Sequence, residues 1–317
     1  MRALAVALVA LLSPLALAEP GAQTFQPIDV FSLEYASGPQ ISPDGERIVY
    51  VRRSAHIMSD RFRSELWMIG ADGSGHRARV QDGSPGAPRW SPSGDRILFA
   101  ASEGGRPALR VLWMDTREIT TLASLPTGAQ GAAWSPDGSS IAFAMFVRDE
   151  GPAPAPMPEK PEGASWGEPA RIIDSVLYRA DGRGFLEQGN TQLFVLAADG
   201  GTPRQLTAGA FDHNGPISWT GERSIIFTSN MQDDWEHDPV ESDIYELGVE
   251  TGARERLTDR NGPDGDPALS ADGRYIAYVG LSLIHTSEPT RQAENSYAGF
   301  CLKKKKQKQQ HAEVHEN

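Results

Sequence analysis

Cysteine is almost absent from this chain, since Cys301 is the only one among its 317 residues. No disulfide framework can therefore stabilise the fold, which must depend on a hydrophobic core that a chain of this length can supply. A second motif is missing: no serine has glycine at both the second position before it and the second position after it. Because G-x-S-x-G carries the nucleophile in many serine hydrolases, we expect no catalytic residue in the chain and no hydrolase activity of the chain alone.

Positive charge and long apolar runs are also scarce. Lys and Arg number 30 against 42 Asp and Glu, for a formal net charge of −12 at pH 7, which disfavours nucleic acid as a partner. The pronounced apolar run lies in residues 1–18, follows Arg2 and ends in Ala16-Leu-Ala18, the pattern of a cleavable signal peptide. We expect a periplasmic or secreted protein with no membrane span after signal cleavage.

A turn followed by an apolar strand recurs along the chain. Pro sets φ in the turn, Asp binds nearby backbone and Gly accepts a positive φ, so each copy predicts a β-hairpin. The five copies begin at Pro39, Trp90, Trp134, Trp219 and Leu269. A second strand, turn and strand follow most copies, as in 192–207 and 243–258, so that each unit supplies four strands.

The spacing of the units is that of propeller blades, and we predict an all-β fold, a partial β-propeller of about five recognisable blades across residues 19–280, the last incomplete. The repeated tryptophans are expected to pack between blades. Trp134 and Trp219 are nearly twice as far apart as Trp90 and Trp134, yet one set of strand phrases lies between them. We therefore predict an insertion at about residues 148–190, between the second and third strands of one blade.

Five segments carry a resemblance to a known family: 29–35, 178–184, 211–216, 234–239 and 257–263. Together with the repeated turns they resemble the N-terminal propeller of exported prolyl-oligopeptidase-family serine peptidases, which include acylaminoacyl and dipeptidyl peptidases. The resemblance covers roughly residues 24–280. It implies a propeller that gates the entry of peptide substrate to a catalytic α/β-hydrolase domain, which is missing from this sequence. The alternative is a non-catalytic TolB-like propeller that binds protein partners in the bacterial envelope, because such propellers share the Ser-Pro-Asp-Gly turn.

Candidate substrate-binding residues all lie in the insertion: Arg171, Asp174, Tyr178, Arg179 and Asp181. In relatives that trim N-terminal residues, propeller carboxylates hold the peptide ammonium group, and the resemblance implies this role for Asp174 or Asp181. A surface hairpin without function is the alternative. We expect no cofactor and no metal, since the carboxylate-rich stretch 233–238 reads as an exposed loop.

Residues 281–317 break the repeat. This segment resembles a translated sequencing-library adapter, and Lys303–Lys306 resembles a translated poly-A run. It contains no strand phrase at the blade period. We predict that it is an artefactual, disordered tail joined to a truncated gene.

Overall fold

The computed structural model describes residues 24–149, 158–167, 172–270 and 272–280, together with the backbone of 299–304. One short 3-10 helix, Pro27–Ser32, precedes the first strand, and the other regular elements of the described residues are β-strands. Among these residues no helix is long and apolar enough to cross a membrane. The predicted all-β class is confirmed.

The strands form five successive sheets. The first contains β1 (Glu34–Ile41), β2 (Arg47–His56), β3 (Arg61–Gly70) and β4 (Arg77–Val80). The second contains β5 (Gly86–Trp90), β6 (Arg96–Glu103), β7 (Arg106–Trp113) and β8 (Ile119–Ser124). The third contains β9 (Ala129–Trp134), β10 (Ser140–Arg148), β13 (Gly189–Ala197) and β14 (Arg204–Gln205). The fourth contains β15 (His213–Trp219), β16 (Ser224–Ser229), β17 (Asp243–Gly248) and β18 (Arg254–Arg256). The fifth contains β19 (Asp264–Leu269), β20 (Tyr275–Gly280) and β21 (Gly299–Lys304).

The sheets are antiparallel and their strands pair in chain order, so each sheet is a meander. The exception is a separate hairpin of β11 (Arg179–Ala180) and β12 (Gly184–Phe185), which lies between β10 and β13 along the chain. The first strands of successive sheets contact one another in the series β1, β5, β9, β15 and β19. Sheets joined through their first strands in chain order are the blades of a β-propeller, as the repeat predicted.

The same local irregularity marks all five sheets. The pairing of the first and second strands shifts register once in each, as between Ser37 and Gln40 in the first sheet and between Gly265 and Ala268 in the fifth. A β-bulge bends a strand and increases its twist. Its repetition is consistent with five copies of one supersecondary unit.

The repeated turns are held by a serine hydroxyl. In four of the five copies this hydroxyl accepts a hydrogen bond from the backbone N–H five residues later, over 2.9–3.0 Å, and donates to the turn aspartate; the serines are Ser42, Ser91, Ser135 and Ser270. The Ser42 hydroxyl and a backbone N–H lower the pKa of Asp44 to about 2, and the Ser135 hydroxyl does the same for Asp137. These carboxylates therefore remain charged far into the acid range.

The core lies between neighbouring blades. Phe99, Phe143 and Phe227 occupy the same position in the second strands of the second, third and fourth sheets, and each is fully buried. Apolar clusters join the first sheet to the second, the second to the third and the third to the fourth. Each blade is thus stabilised mainly by its neighbours, as in other repeat proteins.

A ladder of tryptophans ties the first strands together. The indole Nε1 of Trp90 donates to the carbonyl of Gln40 at 3.1 Å, that of Trp134 to Arg89 at 3.2 Å, and that of Trp219 to Ala133 at 3.1 Å. In each case the acceptor carbonyl belongs to the residue just before the last residue of the first strand in the preceding blade. The packing role expected for these tryptophans therefore includes a backbone hydrogen bond to the preceding blade.

The antiparallel order gives the propeller two distinct faces. One, the turn face, carries the turns between first and second strands and between third and fourth strands. The opposite one, the insertion face, carries the connections between second and third strands, those from one sheet to the next, and the insertion. Connections that share a face can contribute residues to one site.

Two predicted segments lie mainly outside the described residues. One is residues 1–18, the expected signal peptide, which lies wholly outside the described residues. In the segment 281–317 the structure describes Gly299–Lys304, which pairs with β20 as strand β21. This differs from the expectation of a disordered tail, and the physical reason is that β20 offers an unpaired row of backbone N–H and C=O groups. The origin of the segment stays a prediction.

Candidate functional site on the insertion face

The segment between β10 and β13 is rooted in a continuous antiparallel pair. Register runs without interruption from Ser140 opposite Ala197 to Arg148 opposite Gly189. Beyond the last pair, Arg148 donates through Nε and Nη2 to the Glu187 carboxylate at 3.0 and 2.8 Å, and the Asp149 N–H donates to the Gln188 carbonyl at 3.0 Å. A two-bond Arg–carboxylate contact fixes direction as well as distance, so the two ends of the insertion are held together at its base.

The ordered part of the insertion is the hairpin of β11 and β12. The Leu186 N–H donates to the Tyr178 carbonyl at 2.8 Å, which closes the hairpin on the side of its base. The rings of Tyr178 and Phe185 lie 6.2 Å apart between centroids, across the two strands. Cross-strand aromatic pairs of this kind stabilise short hairpins.

Four of the five predicted substrate-binding residues lie on or beside this hairpin. Tyr178, Arg179 and Asp181 belong to the hairpin itself, and all three side chains are exposed. Asp174 lies before the hairpin and accepts a hydrogen bond from Gln188 Nε2 at 2.8 Å, which joins the entry of the hairpin to its exit. Arg171 lies outside the described residues. The hairpin thus presents two carboxylates, a guanidinium and an aromatic ring to solvent on one short element.

Apolar side chains accompany these charges. Ile172, Ile173, Val176 and Leu177 precede the hairpin, and with Tyr178 and Phe185 they are between 44% and 53% exposed. So many large apolar groups in one exposed segment are typical of a surface that contacts another molecule.

A hydrogen-bond network anchors the third blade to the fourth where the insertion returns to β13. The Thr191 N–H donates to Asp212 Oδ1 at 2.6 Å, and Gln192 Nε2 donates to the Gly209 carbonyl at 3.0 Å. These bonds join the start of β13, where the insertion returns, to the connection that enters β15. The insertion is therefore attached to a fixed part of the fold rather than to a loose loop.

The pair of His213 and Ser229 looks like part of a catalytic arrangement but is structural. Nδ1 of His213 lies 3.1 Å from Oγ of Ser229, and that hydroxyl donates its proton to the Asp212 carbonyl at 2.6 Å. Burial, with a smaller contribution from Arg254, lowers the pKa of His213 to about 4, so the imidazole is neutral and donates to the serine. A buried serine whose hydrogen bond runs to a backbone carbonyl has no base to activate it.

Three buried carboxylates lie on the same face in the fourth and fifth blades, and the sequence analysis missed them. Asp243 is paired with Arg256 Nη2 at 2.6 Å, and Asp264 is paired with Arg260. Glu241 accepts from the Gly262 N–H at 2.8 Å. Burial raises the pKa of Asp243 and of Glu241, and Arg256 partly offsets the effect for Asp243.

Comparison of the repeats could have found Asp243. It occupies in β17 the position that Gln192 occupies in β13 of the third blade, and each contacts a threonine that follows the last strand of its blade: Thr207 Oγ1 donates to Gln192 at 2.8 Å and Thr258 Oγ1 to Asp243 at 3.1 Å. Each threonine hydroxyl also accepts a hydrogen bond at 2.9 Å from a backbone N–H of the neighbouring strand, that of Leu193 for Thr207 and that of Ile244 for Thr258. The recurrence in two blades indicates a structural clamp.

The carboxylate-rich loop 233–238 is partly exposed and forms local turns, with the His237 N–H bonded to the Asp234 carbonyl at 2.8 Å. Within the described part of the chain, no group of three or more His, Cys, Asp or Glu is arranged to hold a metal ion.

Comparison with known proteins shows which propellers the chain is similar to. Residues 170–286 match the model of the acylaminoacyl-peptidase N-terminal β-propeller domain. The chain is 28% identical to the uncharacterized peptidase YuxL of Bacillus subtilis over 210 residues, and this alignment covers 64% of the chain and 31% of YuxL. It is 24% identical over 258 residues to dipeptidyl-peptidase 5 of Porphyromonas endodontalis, which covers 77% of the chain and 36% of that protein. The chain thus spans about a third of the length of these relatives.

Solved structures show the same fold. The acylaminoacyl peptidase of Pyrococcus horikoshii superposes with a TM-score of 0.59 at 18% identity, over 79% of this chain and 36% of that one. A putative TolB from Agrobacterium tumefaciens superposes with a TM-score of 0.51 at 17% identity, over 86% of this chain and 80% of that one. At these identities the structures report the fold alone. With the family model and the curated relatives, they show that the chain is a β-propeller similar to the N-terminal propeller domains of acylaminoacyl and dipeptidyl peptidases.

Proposed function

We propose that the chain is the substrate-gating propeller of an exported serine peptidase that hydrolyses peptides. The observation that carries the proposal is the match of residues 170–286 to the acylaminoacyl-peptidase propeller, which includes the hairpin of the insertion. The curated relatives with which the chain aligns are named as peptidases and are about three times as long as the aligned part. The proposal assigns the catalytic serine to an α/β-hydrolase domain of the parent protein.

The insertion is proposed to contact the substrate. Asp174 and Asp181 would bind the ammonium group of a peptide, Arg171 and Arg179 would bind its carbonyl or carboxylate oxygens, and Tyr178 would pack against an apolar side chain. Exposure of the four described residues and the Arg148–Glu187 clamp at the base support this role. A rigidly held site loses less entropy when it binds its ligand.

The test is peptidase kinetics on the parent protein, expressed from source DNA read beyond the codon for Gly280. We expect hydrolysis of fluorogenic peptides by the parent and none by the 317-residue chain. Asp174→Asn with Asp181→Asn should raise KM for substrates with a free amino terminus by about tenfold, since a charged hydrogen bond contributes roughly 1.5–3 kcal/mol. Substrates with an acetylated amino terminus should be unaffected.

Asp199→Asn is the matched control, because Asp199 is an exposed carboxylate in a turn on the opposite face. An unchanged KM in the double variant would refute the role of the insertion while leaving the peptidase assignment intact. A parent protein with no peptidase activity would refute the assignment itself.

Export is proposed from the sequence of residues 1–18, with Arg2 before an apolar run and small residues at its end. Amino-terminal sequencing of the protein recovered from the periplasm or medium should begin at Glu19. Recovery of cytosolic protein that still carries Met1 would contradict export.

A second candidate is a TolB-like propeller that binds protein partners and has no catalytic domain. The observation that favours it is the extent of the match with the putative TolB, which covers most of that chain. The downstream coding sequence separates the two candidates: a G-x-S-x-G motif followed by Asp and His supports the peptidase, and a stop codon soon after the last blade supports the binding protein.

A further inference from the structure

A cavity of about 160 Å³ lies on the turn face, between β4 of the first blade and the end of β7 with its following turn in the second blade. Three arginines line it, Arg77, Arg79 and Arg117, together with Ala78, Leu112, Trp113 and Met114. The volume is well above the requirement of a single water molecule, so a small polyatomic ion fits. We call it the arginine cavity.

The charges of the arginine cavity are not neutralised by the protein. No ion pair joins any of its three arginines to a carboxylate in the part of the chain that the structure describes. Nε of Arg79 is buried without a hydrogen-bond partner, and Nη2 donates only to the sulfur of Met68 at 3.4 Å. Among the described residues, the guanidinium of Arg79 therefore has no carboxylate or other oxygen atom as an acceptor.

Neighbouring positive charges repel the guanidinium of Arg79. Arg79 lies near enough to Arg77, Arg117 and Arg47 for their charges, after burial, to lower its pKa. Arg47 has a partner of its own in Asp44 at 3.1 Å. Three mutually repelling guanidinium groups in a chain of net charge −12 form a local reversal of sign, which an anion would relieve.

Arg117 occupies a position that glycine suits better. Its φ is +64°, and its N–H donates to the Trp113 carbonyl at 2.9 Å. In the fourth blade the equivalent turn has Gly252 at φ +66°, with its N–H bonded to the Gly248 carbonyl at 2.8 Å. A non-glycine residue in the left-handed region costs conformational energy, so glycine can replace Arg117 without loss of backbone stability.

We propose that the arginine cavity binds a small tetrahedral oxyanion, of which inorganic phosphate and sulfate are the simplest. The guanidinium groups of Arg77, Arg79 and Arg117 donate to its oxygens, and the anion supplies the negative charge that no carboxylate of the described residues provides. Guanidinium forks match phosphate geometry and bind it through paired N–H donors. This site lies on the turn face and is independent of the proposed substrate contacts on the insertion face.

The test is calorimetric titration of the full chain with inorganic phosphate, and then with sulfate, at constant ionic strength set with chloride. Saturable binding of both anions is expected. Arg117→Gly should weaken phosphate binding by at least about tenfold, which corresponds to roughly 1.4 kcal/mol. Its melting temperature should not fall, because glycine relieves the positive φ. Arg77→Ser should weaken binding in the same direction, whereas Arg106→Ser, an exposed arginine on the opposite face, should leave it unchanged.

Absence of saturable phosphate binding, or equal affinity in the wild-type chain and Arg117→Gly, would overturn the proposal. A second measurement needs no variant: phenylglyoxal modifies accessible arginines, and peptide mass spectrometry locates the sites. Phosphate should protect Arg79 and Arg117 from modification but not Arg106. Equal modification of Arg79 and Arg117 with and without phosphate would also overturn it.

Discussion

The tryptophan ladder predicts how strongly one blade depends on the next, and Trp134→Phe is its sharpest test. The indole of Trp134 is buried between the second and third blades, where Nε1 donates to the Arg89 carbonyl at 3.2 Å. The guanidinium of Arg96 lies over the same ring, 4.8 Å from its centroid. Phenylalanine keeps a ring for this contact but removes the donor.

The expected cost has two parts. Loss of the hydrogen bond contributes about 1 kcal/mol. Loss of the fused ring removes on the order of 40 Å² of buried apolar area, which at about 25 cal/mol per Å² contributes about 1 kcal/mol more. We therefore expect a destabilisation of about 2 kcal/mol for strands β5 and β9, a magnitude typical of a core substitution.

Hydrogen exchange measures this locally, without requiring that the whole chain unfold in one transition. Amides of β9 should exchange roughly thirtyfold faster in Trp134→Phe than in the wild-type chain. Trp113→Phe is the matched control, because the indole of Trp113 donates within its own blade, to the Thr120 hydroxyl at 3.1 Å. Equal acceleration of β9 exchange in the two variants, or no acceleration in Trp134→Phe, would refute the assignment of the ladder as an inter-blade contact.

Three further predictions concern acid, a buried pair and an exposed face. Asp44 and Asp137 have folded pKa values of about 2, below the ordinary value of 3.8, so their charged forms stabilise the fold above pH 4 and this contribution is lost as the pH falls towards 2. Thermal melts from pH 5 to pH 2 should show the loss of stability, and Asp137→Asn should make that loss smaller. Arg256→Met leaves the buried Asp243 carboxylate without its ion-pair partner and should lower the free energy of unfolding in urea by about 3 kcal/mol at pH 7. The loss should be smaller at pH 5, since protonation removes the buried charge, and an equal loss at both pH values would contradict this cause. In the first sheet Ile41 stands where the next three blades have tryptophan and is 68% exposed, so residues 19–280 made alone should aggregate or bind hydrophobic dyes, and Ile41→Lys should reduce dye binding; a dye-free monomer with a sharp melt would contradict this.

The arrangement of strands was largely predictable, because the signals that produce it are local. A turn of Ser, Pro, Asp and Gly followed by alternating apolar residues specifies a hairpin wherever it occurs. The serine hydroxyls of Ser42, Ser91, Ser135 and Ser270 bind backbone only five residues away. Interactions of such short range are visible in a single repeat.

The candidate site was only partly predictable. Asp174, Tyr178, Arg179 and Asp181 were predicted from their place in an insertion, and the structure adds that Asp174 and Gln188 join the entry of the hairpin to its exit. The buried carboxylate of Asp243 was not predicted, because an Asp at the start of a strand is more often exposed. Its partners are Arg256, which ends the next strand, and Thr258, which lies two residues further on. Its burial follows from the packing of one blade against the next.

The repeating unit, the all-β class and the position of the insertion follow from the residues alone, because a repeat of turns and strands expresses the short-range physics of each blade many times. Long-range packing sets which carbonyl accepts each indole hydrogen bond, which carboxylates are buried, and that Arg77, Arg79 and Arg117 line one cavity. Those residues lie in different blades or different strands, and no local pattern records their approach. They come together only because each blade packs its apolar face against the next blade, and this packing determines which residues that are distant in sequence come into contact.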